Sequence, residues 1–166
     1  MELEERLAEL ERRIAALEQA RSAAPEVGEG DFWALEGLKA QLAEVGAADG
    51  GVLFTGAVRL PTGERYDWQY GALTEGLLAG DWSEVTDSLA ALGHPVRLRL
   101  LREILRGLRT AAELAELAEI GTTGQIYHHL RQLTAAGWLH TTGRGRYEVP
   151  GTRVVPLLVV LTAAQP

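Results

Sequence analysis

Apolar residues recur at two periods along this chain, and each change of period marks a new element. At the start, Leu3, Leu7, Leu10, Ile14 and Leu17 follow one another at spacings of 4, 3, 4 and 3. This heptad pattern puts Leu7 and Ile14 at a and the other leucines at d. It predicts a parallel two-stranded coiled coil over residues 1–22. An amphipathic helix packed on its own chain is the alternative. Ser22 to Gly30 has the Pro, Gly and small residues of a linker. Phe32, Trp33, Leu35, Leu38, Leu42 and Val45 then predict a second amphipathic helix, stopped by Gly46.

The period next shortens to two. Val52 to Leu60 and Arg65 to Tyr70 flank Pro61-Thr62-Gly63, the pattern of a β-hairpin. Tyr66, Trp68 and Tyr70 alternate with Arg65, Asp67 and Gln69, so one face of the second strand is aromatic. That face is either core packed on neighbouring helices or a surface for a flat effector or a partner. Helices are expected over Ala72–Leu78 and Trp82–Leu92, with Asp81 capping the second.

The helical period then returns. His94-Pro95 opens a long helix with Pro in its first turn, and Val96, Leu100, Leu101, Ile104, Leu105 and Leu108 face inward. Arg99, Arg102 and Arg106 lie on the other side, either solvating the helix or reaching for phosphate. Gly107 or Arg109 ends it.

Two capping boxes follow at close range. Thr110 with Glu113 starts a short helix, and Thr122 with Gln125 starts another after a turn at Ile120-Gly121. In the second helix Ile126, Leu130 and Leu133 form a buried stripe. Gly124, Tyr127, His128 and Arg131 fall opposite, with Thr123 beside them. Such a helix has an apolar side that holds it and short polar residues near its N-terminus that can reach base edges. Gln125 is divided between the capping box and a base. Trp138 to Thr141 and Arg146 to Val149 then bracket Gly143-Arg144-Gly145, a small hairpin whose glycines allow close approach to a sugar-phosphate backbone. Arg146 has a second option, pairing with Glu148 or Glu103.

His128 and His129 invite a metal reading, but neighbours on a helix point about 100° apart and rarely share an ion. His128 is expected to face DNA, and His129 to be a half-buried, hydrogen-bonded packing residue. Val154 to Leu161 is apolar on nearly all sides, too apolar to stay exposed, with Pro156 in a first helical turn. A two-fold interface is its expected role.

Charge sharpens this picture. The net charge is −7, yet residues 91–150 carry 8 Arg against 5 acids, whereas residues 1–90 carry 18 acids and 7 bases. The helix-turn-helix pattern therefore falls on the only cationic stretch of an acidic chain. An excess of +3 predicts weak, salt-sensitive non-specific DNA affinity. The sequence contains no Cys, which excludes disulfides and thiolate metal sites from its residues. No apolar run is long enough to span a bilayer, and the acidic start lacks a signal peptide's basic and apolar regions, so a cytoplasmic location is expected.

Leu92-Gly-His-Pro-Val-Arg-Leu98, Tyr127-His-His-Leu130, Leu133-x-x-Ala-Gly137 and Gly143-Arg-Gly-Arg-Tyr147 together resemble the ArsR-type winged helix-turn-helix regulators of bacteria, over about residues 82–160. The resemblance implies a homodimer and DNA contacts at Thr123, Gln125, Tyr127, His128 and Arg131. Many family members sense metals through Cys pairs or through Asp and His on the last helix. This sequence has neither, so metal and thiol sensing are not expected. Its first eighty residues also lie outside the family pattern.

The fold class expected is mainly α with small β-hairpins (α+β). It comprises a coiled-coil helix (1–22), an accessory helix and hairpin (32–80), a winged helix-turn-helix domain (81–150) and a dimerisation segment (151–166). The function expected is a homodimeric, sequence-specific DNA-binding transcriptional regulator of the repressing kind, with double-stranded DNA and itself as partners. The DNA-contacting residues expected are Thr122, Thr123, Gln125, Tyr127, His128, Arg131, Arg144 and Arg146. No cofactor, metal or membrane is expected, and no catalytic constellation is visible. The competing expectation is a protein-binding adaptor built on the same scaffold.

Overall fold

A computed structural model describes residues 32–117, 121–143 and 145–165, together with Arg6, Glu9, Arg12 and Arg13. Those four residues are helical, and Glu9 pairs with Arg12 at 2.9 Å and Arg13 at 3.5 Å. The heptad leucines and the 22–30 linker lie outside the described residues. The chain divides into two compact units, residues 1–41 and 42–166. The division does not fall near residue 80, because the hairpin belongs with everything that follows it.

Helix α1 (Trp33–Glu44) runs across that division. It ends where Gly46 takes φ +67° and the Ala47 amide returns to the Leu42 carbonyl. Strands β1 (Gly51–Arg59) and β2 (Arg65–Leu73) pair antiparallel, with Arg59 opposite Arg65 and Gly51 opposite Leu73. Ala72 and Leu73 are therefore strand residues, held by Val52 and Gly51, and the expected Ala72–Leu78 helix starts later, as α2 (Thr74–Ala79).

The segment expected as one helix over Trp82–Leu92 is two pieces. A 3₁₀ turn covers Trp82–Val85, started by Asp81, whose carboxylate accepts from the Ser83 amide at 2.9 Å. Helix α3 (Thr86–Leu92) follows. Helix α4 (Pro95–Leu105) opens on His94, whose Nδ1 accepts from the Val96 amide. Helices α5 (Ala111–Ala115) and α6 (Thr123–Ala135) both start on complete capping boxes. Strands β3 (His140–Thr141) and β4 (Tyr147–Glu148) form the small hairpin, and Thr110 bridges to Arg146 as a third line of pairing.

The last helix, α7 (Gly151–Ala163), begins five residues before Pro156. Pro156 is therefore interior rather than in the first turn, and it leaves the Thr152 carbonyl without its helical partner. The apolar character of α7 has an intramolecular cause. Val154, Val155 and Leu157 are buried in the chain's own core. Gly56 of β1 and Tyr66 of β2 lie against Val155 and Gly151.

One core joins the β1–β2 hairpin to helices α3 to α7. Leu100, Leu101, Ile104, Leu114, Ile126, Leu130, Leu133, Leu139, Val154 and Leu157 have almost no exposure, and Val58 and Tyr66 of the hairpin pack against them. The fold is α+β, a winged helix-turn-helix with an added β-hairpin. No described helix is long and apolar enough to cross a membrane.

Candidate nucleic-acid interface

The candidate surface comprises the outer face of α6 and the β3–β4 hairpin. The capping box sets where α6 begins. The Thr122 amide donates to Gln125 Oε1 at 2.8 Å, and the Gln125 amide donates to Thr122 Oγ1 at 3.4 Å. Gly121, at φ +107°, turns the chain into this start, and a Cβ there would fall against Gln125 Oε1. Gln125 is thus engaged in the cap.

Inward, Ile126, Leu130 and Leu133 are fully buried. Outward, Thr122, Thr123, Gly124, Tyr127, His128 and Arg131 are exposed, and Tyr127 keeps 47% of its surface. Arg131 lies back along the helix toward the Tyr127 carbonyl. Arg146 is exposed on the small hairpin; the Glu113 carboxyl is held below its usual range chiefly by hydrogen bonds from Thr110, with the Arg146 charge adding least. Arg146 forms an ion pair with neither Glu148 nor Glu103. Arg109 and His140 approach the first, and Arg102 and Arg106 the second. Arg144 lies outside the described residues.

His128 is exposed, while His129 turns inward and stacks on His94 with ring centroids 4.7 Å apart. His129 is half-buried as expected and hydrogen-bonds with Gln132, while its Nδ1 is buried without a partner among the described residues. Burial, then the neighbouring His94, Arg97 and His128, depress its pKa below the usual histidine value, with Gln132 partly opposing.

Three residues position this surface through partners that the local sequence does not reveal. Arg97 donates to the Ala90 and Ala91 carbonyls at the end of α3 and to Gln132 Oε1 of α6 at 2.8 Å, tying three helices together. Arg109, only 9% exposed, pairs with Glu64 and with Glu148. Glu64 comes from the β1–β2 turn, where Thr62 Oγ1 also donates to it. The Thr62 bond and the Arg109 charge hold its carboxyl below the usual range. Only the spatial neighbourhood, 45 residues apart in sequence, reveals this link.

The aromatic face of β2 is divided. Tyr66 and Trp68 are half-buried, Tyr66 against the core and Trp68 across from Gly56. Tyr70 is 58% exposed and tilts on Phe54 at 5.9 Å. Core packing accounts for the first; Tyr70 alone of the three remains an open surface.

A family described as a helix-turn-helix domain matches residues 92–141. The chain is also 40% identical over 73 residues to a protein of Streptomyces lividans named as a probable mercury resistance operon repressor. That stretch is 42% of this chain and spans 58% of the relative's length. The matched segment begins at the end of α3 and ends in β3, so it contains both capping boxes and the whole outward face of α6. Residues 92–141 have the helix-turn-helix fold.

Proposed function

We propose that this protein is a homodimeric, sequence-specific DNA-binding transcriptional regulator, and that it represses. The observation that carries this reading is the division of α6. Its inner stripe is fully buried, and its outer face presents Thr122, Thr123, Tyr127 and His128 over the first turns, with Arg131 further along; the sequence adds Arg144 and Arg146 in the glycine-rich hairpin that follows. A helix held in this way enters a major groove by its N-terminal half, while the wing follows the backbone or minor groove. The helix-turn-helix match and the repressor name of the S. lividans protein support the same direction.

A mercury-responsive trigger does not transfer with that name. Soft metals bind thiolates, and this sequence has no Cys. These residues offer neither thiol nor thiolate-metal sensing.

The dimer reading rests on a second surface. Trp82, Val85 and Leu89 recur at i, i+3 and i+7 along the 3₁₀ turn and α3, each more than half exposed. The Trp82 indole N–H is already spent on the Leu77 carbonyl at 2.7 Å, so its ring offers apolar surface only. A second copy of the chain would cover this stripe, with residues 151–166 and 1–22 as further contacts. Two-fold symmetry would set half-sites about 34 Å, one helical turn, apart.

Fluorescence anisotropy on fragments of its own promoter region, at two salt concentrations, tests the reading. One fragment should bind far more tightly than the rest, and all should weaken at the higher salt. Equal weak binding to every fragment would overturn sequence specificity. The acidity of residues 1–90, a net −11, favours an adaptor for a basic protein as the second reading. Recovery of such a partner without any DNA shift would establish it.

A further inference from the structure

The β1–β2 hairpin reaches the wing through one buried guanidinium. Arg109 Nη2 donates to both carboxylate oxygens of Glu64, at 2.9 and 3.0 Å. Arg109 Nη1 lies 2.8 Å from Glu148 Oε1. Glu148 belongs to β4, the return strand of the small hairpin, and the Arg109 carbonyl accepts from the neighbouring Tyr147 amide at 2.6 Å. The hairpin tip also touches this loop, since Thr62 Cγ2 lies 3.1 Å from the point where a Cβ on Gly107 would stand.

A guanidinium this buried needs its counter-charge in place. Glu148 alone is a divided partner, because His140 Nε2 also stands 3.7 Å from its other oxygen. Glu64 supplies the second carboxylate and, held by Thr62, fixes the plane of the fork. Removing it leaves Arg109 free to turn toward one carboxylate, and β4 with it. β4 is a two-residue strand, so its place depends on such side-chain anchors.

We propose that Glu64 is a positioning residue for the wing: the accessory hairpin sets β4, and through it Arg146 and the facing Thr142, by way of Arg109. The proposal rests on the DNA-binding reading only for its consequence. The link itself belongs to the free protein. It gives the hairpin a role beyond bracing the core, because anything that displaces the β1–β2 turn moves the wing.

Hydrogen exchange on the full chain with Glu64→Gln tests this, since the variant keeps the shape and removes the charge. Exchange of the Thr142 and Tyr147 amides, which bond to the Arg146 and Arg109 carbonyls, should rise about three- to tenfold, while Leu130 and Leu133 in α6 stay protected. Glu64→Asp, which keeps the charge but withdraws it by one methylene, should fall between. Unchanged wing exchange overturns the proposal. So does an equal rise in α6 and β4, which marks general destabilisation. If the variant fails to fold, Thr62→Ala provides the milder perturbation under the same criteria. In the DNA titration, Glu64→Gln should weaken binding severalfold with a shallower salt dependence. A loosened wing with unaltered DNA affinity would uphold the link and count against the wing as a DNA contact.

Discussion

Gly56 and Val155 meet so closely that a single added carbon would not fit between them. A Cβ on Gly56 would stand 2.6 Å from Val155 Cγ1, and Val155 is only 1% exposed. The bare backbone of β1 is what lets α7 lie down on the hairpin. Gly56→Ala should therefore cost about 1–3 kcal/mol by overpacking. Urea unfolding is the check, and the double variant with Val155→Ala should recover part of the loss. A Gly56→Ala protein as stable as the parent would mean that α7 is not held against β1.

The engagement of Gln125 in the Thr122 cap separates two kinds of loss. Thr122→Ala should lower stability by about 0.5–2 kcal/mol, the usual worth of a cap. Gln125→Ala should weaken DNA binding to all sequences alike, through the helix start. His128→Ala should change which sequences are preferred. Arg144→Ala should weaken binding uniformly and reduce the salt slope. Selection of bound sequences from a random pool distinguishes these outcomes. A changed preference in Gln125→Ala would show that this side chain leaves its cap to read a base.

Acid should loosen the domain through His129. The folded-state pKa lies below the usual value of 6.5, so the unfolded chain takes up this proton first as pH falls. The stability at stake is full above 6.5 and is lost from there down to the lower folded value. The groups that face the ring are His94 and Arg97 from α4, and His128 and Gln132 from α6. All of the charged ones oppose protonation. His129→Phe keeps a ring and removes the titration. Its unfolding midpoint should fall less than the parent's between about pH 7.5 and 5.5, the range over which an unshifted histidine gains its charge. Equal falls in the two proteins would rule out His129 as the source.

The exposed stripe on α3 should govern association. Leu89→Asp or Val85→Asp places a charge on apolar surface that is more than half open, so the subunit fold should survive while a two-fold contact would not. Sedimentation or light scattering should show the parent at twice the mass of the variants. A parent already monomeric at working concentration would remove the dimer from the proposed function. Deleting residues 1–22 in the same assay tells whether the heptad segment is needed.

What was legible in the chain was local. Two Thr-x-x-Glu/Gln boxes mark the starts of α5 and α6, and both are complete in the structure, because a capping box is decided within four residues. The β1–β2 hairpin was legible from its period of two and its turn at Pro61–Gly63. Distant partners were not. Nothing near Arg109 announces that its counter-ion is Glu64, and nothing in the apolar run of α7 tells its own hairpin from a second subunit as cover. Pairing also overrode local preference. Ala72 and Leu73 favour a helix by composition but are held in β2 by Val52 and Gly51. The 3₁₀ turn at Trp82–Val85 interrupts an otherwise regular apolar pattern, where the Asp81 side chain tightens the first turn.

Trp138 closes the space between α3 and α7. Its indole N–H donates to the Ser88 carbonyl at 2.8 Å, the Arg153 guanidinium stands 5.0 Å above its ring, and only 3% of its surface is open. Trp33 and Trp82 keep 60% and 67% of theirs. The chain thus holds one chromophore in a dry, asymmetric slot and others in contact with solvent. Excited at its red edge, it should show a shorter-wavelength component from Trp138 beside the longer-wavelength emission of Trp33 and Trp82, with half-buried Trp68 between them. The shorter-wavelength one belongs to the seam where helix-turn-helix, wing and last helix meet. That seam carries its own light source, which shifts colour when water first enters.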